Sequence, residues 1–404
     1  MIDKRLTQFP ISYTTVIGKV AVGWGVHQTV GDECKMAGIK KALIVTTGLK
    51  GTGIIEEIRG ILNYHGIASE IFSKVTSNPK DYEVMEGYQV FKNSECDGVI
   101  SVGGGSSHDC GKGIRAVASN DGKYVCDMAV FINPPWMETI KNHKPVTIPQ
   151  ITVNTTAGTG AELTPGGPII NSRTRTKQLI IVPGLAMAAS LVDPILVRLM
   201  PQNIAAQTGF DALAHAFEGH LSRMVNPYSS ALMFQVMKLV SENLREFAYN
   251  RMNHRACENM CWAESMAGLG MIIGGGSGIV HGLAHGISVL RGVHHGLANA
   301  SVTLPLERYN EPVFPEKFAE MARAMGVDTR NMTTMQAADK WFEEIERLLR
   351  DLGIQTGDLN KRFGLQKDDI KHIVKYQYDN DFAIEGNPHE FNFDDCVTLM
   401  ESML

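Results

Sequence analysis

From residue 42 onward the chain alternates short apolar, β-rich runs with segments of helical period. Ala42-Leu43-Ile44-Val45, Ile71-Phe72, Val99-Ile100-Ser101-Val102 and Val146-Thr147-Ile148 are each bounded by Gly, Pro or Asn, the punctuation expected of strands. Strands that alternate with helical stretches predict a parallel sheet wrapped by helices. Residues 179–182 and 190–192 predict further strands near the domain edge, before Asp193-Pro194. After Pro201 the texture changes to successive helical segments at 229–249, 256–273, 316–325 and 335–352. Pro227 and Pro315 fall near helix starts, and Gly326 and Gly353 fall just past helix ends, where each residue is best tolerated. The pattern predicts an α/β domain over residues 1–195 followed by an all-α domain over 196–404.

Composition narrows the partners. A 404-residue chain that is 44% hydrophobic and 20% charged is globular and long enough for two cores. With 38 basic and 43 acidic residues, a net charge of -5 and no basic block, it lacks the footprint of a nucleic-acid binder. It holds no uncharged apolar stretch of about 18 residues, and Met1-Ile2-Asp3-Lys4-Arg5 lacks a secretory pattern. A cytoplasmic protein with no membrane partner is therefore expected. The seven cysteines are odd in number and scattered, which fits reduced thiols. Only Cys257 and Cys261 are close, and as neighbours on a helix they read as two small half-buried side chains.

Two turns carry candidate phosphate chemistry. The strand at 99–102 runs into Gly103-Gly104-Gly105-Ser106-Ser107-His108-Asp109, with a helix expected to start near Asp109. Glycines let the backbone approach a pyrophosphate, and a helix N-terminus favours anions. The residues alone fit a tight strand-to-helix turn equally well, because the spacing is not the common dinucleotide fingerprint. The second turn, Thr155-Thr156-Ala157-Gly158-Thr159-Gly160-Ala161-Glu162, adds hydroxyls that can donate to phosphate or carboxamide.

Candidate metal ligands lie farther on. Asp211 and His215 are four apart on an expected helix and so share one face. The spacing recurs at His281 and His285, and His295 follows within His294-His295-Gly296-Leu297-Ala298-Asn299. One such pair is common in any core helix; their recurrence in apolar, glycine-rich text is not, since uncompensated polar groups there are costly. One carboxylate plus imidazoles suits a first-row divalent ion without choosing among them.

These motifs together resemble the iron-containing (group III) alcohol dehydrogenase family, closest to its methanol-dehydrogenase-like branch. The likeness runs through Asn78-Pro79, Gly103 to Ser106 with Asp109 and Lys112, the turn at 155–162, Asp193-Pro194, Asp211 to His215, His281 through Asn299, and Asn387-Pro388. It implies a nicotinamide-dinucleotide-binding first domain and a metal-binding, catalytic second domain. The implied ligands of one divalent metal are Asp211, His215, His281 and His295, with Fe(II) expected and Zn(II) or Mn(II) as alternatives. His285 is the implied catalytic histidine, a proton carrier, and Asp109 is implied on the nicotinamide side. The implied cofactor contacts are Thr47, Gly103, Gly104, Gly105, Ser106, Asp109, Thr155, Thr156, Thr159 and Lys177. The expected reaction is metal-assisted hydride exchange between NAD(H) and a small primary alcohol or aldehyde of the methanol, propanediol, 4-hydroxybutyrate or sulfoacetaldehyde type, in a homo-oligomer.

Departures from the family pattern shape further expectations. Val45-Thr46-Thr47-Gly48 lacks the acidic residue that in many members holds the adenosine ribose and rejects a 2′-phosphate, which leaves NADP open beside the expected NAD. The usual proline and serine of the second turn are Asn154 and Ala161. Gly166, Ile272 and Gly274-Gly275-Gly276 are smaller than the residues often found near the substrate and suggest a roomier pocket. Arg291, four before His295, is a candidate partner for an anionic substrate. The alternative is an NAD- and metal-dependent lyase of the dehydroquinate-synthase type, against which the Asp211-Ala212-Leu213-Ala214-His215 run argues.

Overall fold

The computed structural model describes residues 18–47, 49–131 and 140–404. The start of the chain and Gly48, both read above, lie outside the described residues. Contacts divide the chain into two compact units, one spanning Val16–Met200 and one built from Pro201–Leu404.

The first unit is a sheet of six parallel strands: β1 (Lys19–Val22), β2 (Lys41–Thr46), β3 (Ala68–Phe72), β4 (Gly98–Gly103), β6 (Gln150–Asn154) and β9 (Ala189–Val192). Their spatial order is β1-β9-β6-β4-β2-β3. Helices α1 (Val30–Met36), α2 (Ile54–Tyr64), α3 (Asp81–Asn93) and α4 (Gly105–Ser119) connect strands. Successive side chains of β2 serve opposite faces, as the strand period of two requires: Leu43 and Val45 join one apolar cluster, Ala42 and Ile44 the other. Burial on both faces explains why the central strands read as continuous apolar runs rather than alternating ones. A separate three-stranded antiparallel sheet, ordered β5-β8-β7, is built from β5 (Ala129–Val130), β7 (Gly166–Asn171) and β8 (Thr176–Ile181).

One sequence expectation needs correction here, and two expected strands find their places. The strand expected at 146–148 is not one; β6 begins at Gln150, because Pro149 has no N–H to give a ladder and acts only as acceptor for Val99 N at 3.0 Å. The strand expected at 190–192 is present as β9, which lies between β1 and β6, with the half-exposed β1 at the edge of the sheet. The run at 179–182 falls mostly within β8, in the separate antiparallel sheet.

One buried carboxylate ties the edge strand down. Asp193 caps α5 (Pro194–Val197) through Ile195 N at 2.8 Å. It also accepts Gly25 N at 3.1 Å, His27 N at 3.0 Å and the His27 ring. The ends of β1 and β9 thus meet on one side chain, while His27 Nε2 faces Glu57 at 3.0 Å.

The second unit is helical: α6 (Gln202–Leu221), α7 (Pro227–Tyr249), α8 (His254–Gly270), α9 (Ile279–Arg291), α10 (His295–Asn310), α11 (Pro315–Ala324), α12 (Thr334–Asp351), α13 (Leu359–Phe363), α14 (Lys367–Asn380), α15 (Phe382–Glu385) and α16 (Phe393–Glu401). From Thr208 to Leu221 every residue of α6 is buried, the mark of a helix at the centre of its unit. The segment expected to stay helical to 273 leaves the α-helix after Gly270 through a π-turn, Met271–Gly275. Gly274 (φ 129°) and Gly276 (φ 69°) make that bend in conformations closed to other residues, and Asn226 Nδ2 fastens it at Ile273 O, 2.6 Å away. A Cβ on Gly274 would stand 2.2 Å from that amide. These glycines serve the backbone bend. All seven cysteines are buried. Among the described residues no single helix is long and apolar enough to cross a membrane.

Burial alone would lower the His27 pKa, but Asp193 and Glu57 outweigh it and raise it above 6.5. Such a group contributes stability that is complete below its unfolded value and lost as pH rises through the folded one. The thermal midpoint of the protein should therefore fall as pH climbs above 6.5, and His27→Asn should remove that component of the slope. Identical slopes for the two proteins would contradict the assignment.

Candidate metal and dinucleotide sites

In the helical unit, α6 contributes Asp211, α9 His281 and α10 His295. One ligand atom from each lies within 4.8 Å of the other two. His281 Nε2 and His295 Nε2 stand 3.6 and 3.8 Å from Asp211 Oδ1. Helix α10 reaches this position because Gly296 lies directly on α6: a Cβ there would stand 2.0 Å from Gln207 O. The Asn299 amide, one turn beyond His295, donates to Asp211 Oδ1 at 2.6 Å and faces His281 Nε2 at 3.2 Å and His295 Nε2 at 3.4 Å. Three acceptors thus converge on a single donor group, in a place where a cation would satisfy all of them.

The other two histidines named by the sequence sit beside this set. His215 lies outside that 4.8 Å group, with its ring stacked on His281, centroids 4.4 Å apart. His285 stacks on His295 at 5.1 Å and turns Nδ1 to Asp381 Oδ2 at 2.8 Å.

A residue that sequence reasoning passed over completes the arrangement. Glu218 continues the face of α6 on which Asp211 and His215 lie, at positions i, i+4 and i+7, so extending that spacing by one step would have found it. Its carboxylate takes the His281 ring Nδ1–H, and it accepts Val280 N at 2.7 Å and His281 N at 3.3 Å. One side chain therefore caps α9 from outside and turns His281 Nε2 toward Asp211. Burial would lower the His281 pKa, yet Glu218 and Asp211 raise it to about 9. Burial would raise Asp211, yet His215 and His281 hold it below its ordinary value. The field at this point favours positive charge, which fits a divalent cation. Behind it, burial and then Glu218 push the Glu307 carboxyl up to about 8, and Asn310 Nδ2 donates to it at 2.9 Å.

Arg291 takes no part in this cluster. It donates to Asp369 and to the backbone oxygens of Leu290 and Gly364. Its charge is matched within its own unit, which removes the support it lent to an anionic substrate.

In the first unit, β2 and β4 are adjacent although β3 intervenes in sequence, so the strand order reverses between them. Ligands of open α/β sheets bind outside the carboxyl ends of strands at such a point. Thr47 follows β2 there, and its carbonyl lies 3.8 Å from the Cβ position of Gly103 at the end of β4. Helix α4 opens at Gly105, one turn earlier than expected, which puts Ser106 and Asp109 on the helix rather than in the turn. A Cβ on Gly104 would meet Thr156 Cγ2 at 2.6 Å, and one on Gly105 would meet Thr159 at 3.3 Å. The two sequence turns are thus brought against each other, and Thr155 N donates to Gly103 O at 3.0 Å.

Buried hydroxyls at the ends of these strands are unspent. Thr46 Oγ1 and Ser107 Oγ have no hydrogen-bond partner among the described residues, and the first N–H groups of α4 are available as in any helix. That donor set fits a pyrophosphate. Ser106 Oγ accepts Asn78 N at 3.2 Å, tying the turn to Asn78-Pro79. Asp109 pairs with the buried Lys112 at 2.9 Å, and Lys112 also donates to Gly166 O at 2.7 Å. Burial raises the Asp109 pKa against the pull of Lys112 and Lys177. Lys177 stands on β8 opposite Ile170. Under the turn, burial and Lys112 push His108 down to about 3. The neutral ring joins Ser101 Oγ at 2.8 Å and Asn154 Oδ1 at 3.4 Å, and Asn154 Oδ1 in turn accepts Thr156 N at 3.2 Å.

Comparison with known proteins matches both halves of the chain. The family model described as iron-containing alcohol dehydrogenase matches residues 18–194, and that of the Fe-containing alcohol dehydrogenase family, C-terminal, matches 205–404. Methanol:N,N-dimethyl-4-nitrosoaniline oxidoreductase of Mycobacterium sp. (strain DSM 3803 / JC1) is 35% identical over 98% of this chain and 97% of its own length. NAD-dependent methanol dehydrogenase of Bacillus methanolicus is 33% identical over 99% of this chain and 100% of its own. The crystal structure of a 1,3-propanediol oxidoreductase superposes with a TM-score of 0.90 at 32% identity, covering 98% of this chain and 100% of that one.

Two substitutions probe the two sites separately. Glu218→Gln should weaken divalent-metal binding about 10- to 100-fold, the usual effect of losing an outer partner of a ligating histidine, read by competition with a chromogenic chelator; unchanged affinity would remove Glu218 from the site. Gly104→Val should raise the Kd for NADH about tenfold or more, since displacing Thr156 costs roughly 1–3 kcal/mol, read by quenching of protein fluorescence.

Proposed function

The chain belongs to the iron-containing alcohol dehydrogenase family, whose members are NAD- and metal-dependent oxidoreductases, and on that premise we propose that it interconverts short primary alcohols and their aldehydes. The observation that carries the reading is the convergence of Asp211, His281 and His295, with Glu218 behind and His285 beside them. Methanol- and propanediol-type substrates suit the names of the relatives, and the neutralised Arg291 favours uncharged substrates over the sulfoacetaldehyde type. The lyase alternative is not favoured, since both halves match alcohol-dehydrogenase models.

Asp211, His281 and His295, with His215 one turn along α6, would hold the metal; Thr47, Gly103 to Ser106, Thr155, Thr156, Thr159, Asp109 and Lys177 would hold the cofactor. When bound, the metal supplies Lewis acidity at the alcohol or carbonyl oxygen and the nicotinamide gives or takes hydride. Glu218 orients His281 and balances the charge collected at the site. The glycines of 103–105 let main-chain donors approach phosphate, and Ser107 and Thr46 add hydroxyls. His285 accepts the hydroxyl proton during oxidation and returns it during reduction, passing it to or from solvent. The proposal further takes NAD over NADP, in keeping with the name of the NAD-dependent methanol dehydrogenase relative, with Fe(II) over Zn(II) or Mn(II), a homo-oligomer and a cytoplasmic location.

The test is NADH oxidation by anaerobically prepared protein loaded with Fe(II), Zn(II) or Mn(II), across neutral and anionic aldehydes from formaldehyde to butyraldehyde, with NADPH alongside. Turnover of neutral aldehydes is expected, abolished by chelation and restored by one of the three metals. Silence with every metal and aldehyde would overturn the reading.

A further inference from the structure

His285 is held in place by another helix. Gly282 and Gly286 each follow a histidine on α9, so the two glycines form one stripe beside the two imidazoles. A Cβ on Gly282 would stand 2.7 Å from Ile384 Cγ1, and one on Gly286 would stand 2.6 Å from Ile373 Cγ2. The missing side chains leave a notch in α9, and α14 and α15 fill it. Only this close approach lets Asp381, just past the end of α14, bring Oδ2 within 2.8 Å of His285 Nδ1.

Two further groups fix that carboxylate. Ala383 N donates to Oδ1 at 2.9 Å. The buried Gln377 amide, with its nitrogen facing the two oxygens, donates to Gly282 O at 3.1 Å and to Asp381 Oδ2. One amide thereby bridges the backbone of α9 and the group that faces His285.

We propose that Asp381, secured by Gln377, is the positioning residue of His285, an inference that rests on the proton-carrying role given above. By accepting the Nδ1 proton, Asp381 fixes the tautomer in which Nε2 is the ring's acceptor. It also sets the ring plane, which lies within 22° of that of His295. Without this anchor the imidazole turns about a broad, two-fold torsion and offers either nitrogen. When Nε2 takes the proton released by an alcohol whose hydride goes to NAD, the ring becomes a cation with Asp381 against it; the Nδ1 proton stays where it was, and the new proton leaves from Nε2 to water.

The test uses the full-length, metal-loaded protein. Asp381→Asn keeps size while turning an acceptor into a mixed group, and Gln377→Leu removes the bridge. Each should lower kcat about 10- to 100-fold, as loss of an orienting partner does, with KM for NADH, bound metal per chain and thermal midpoint near those of the unaltered protein. In a His285→Ala background, adding Asp381→Asn should change kcat by less than about twofold, because groups that act as one unit are not additive. Equal losses with and without His285, an unchanged kcat in the single variants, or loss of bound metal would overturn the proposal. A readout independent of turnover is the ¹⁵N spectrum of histidine-labelled, Zn(II)-loaded protein. His285 should carry its proton on Nδ1, and Asp381→Asn should release an Nε2–H fraction; an Nε2–H ring in the unaltered protein would overturn the positioning role even if no aldehyde were reduced, whereas an inactive protein with the Nδ1–H ring would count against the functional reading alone.

Discussion

Glu218 against His281 is the contact on which the helical unit depends. A carboxylate and an imidazole so deeply buried hold together only while each has the other, since removing one partner of such a pair costs about 3–5 kcal/mol. The same carboxylate caps α9 through Val280 N and His281 N, so the start of that helix and the aim of its first histidine are set by one group on α6. The next layer follows from it. Glu307 is pushed toward its neutral form by burial and by the neighbouring Glu218, which keeps a second negative charge out of the interior. Asn310 and Asn387 exchange paired amide hydrogen bonds at 2.8 and 3.1 Å to close the network, and Asn387 is part of the Asn-Pro punctuation that had no physical account at the level of sequence.

The first unit reaches order by a different means, in which polar side chains substitute for missing backbone partners. Arg115, fully buried, spans Ile148 O, Leu185 O and the Gln150 side chain, holding the irregular stretch before β6 that the strand pattern had misassigned. Gln150 passes the connection to Ser101, and Ser101 to His108. Asn154 then carries it up to Thr156. An asparagine at 154 therefore does more than retune a loop. It joins the second turn to the helix that opens at the first, while the Asp109–Lys112 pair does the same for the hairpin of β7 and β8 through Gly166 O.

Local patterns in the sequence were legible where their cause was local. The continuous apolar runs of β2 and β4, the glycine turn between β4 and α4, and the i, i+4 spacing of acid and histidine on α6 all follow from geometry within a few residues. What lay hidden depends on the partner across space. Asp381 is 96 positions from His285, and its only trace in the sequence is the pair of glycines beside His281 and His285. Arg291 looked available because Asp369 comes into reach only when α14 packs on α9. Gly274 and Gly276 carry positive φ angles, a backbone requirement that their place in the sequence did not announce. The place of β9 between β1 and β6 was likewise invisible, since a short apolar run reads the same at the edge of a sheet as inside it.

Gly296 lies with its main chain against Gln207 O, and no side chain separates the start of α10 from α6 at the level of Asp211. The distance between His295 and Asp211 is therefore inherited from contact of two backbones. Side chains elsewhere in the core can be exchanged, enlarged or trimmed, and the helices will settle around them without opening or narrowing this span. The bite of the site is a property of the main chain, which leaves sequence drift free to alter stability, surface and neighbouring pockets while the size of ion the three ligands can grip stays the same.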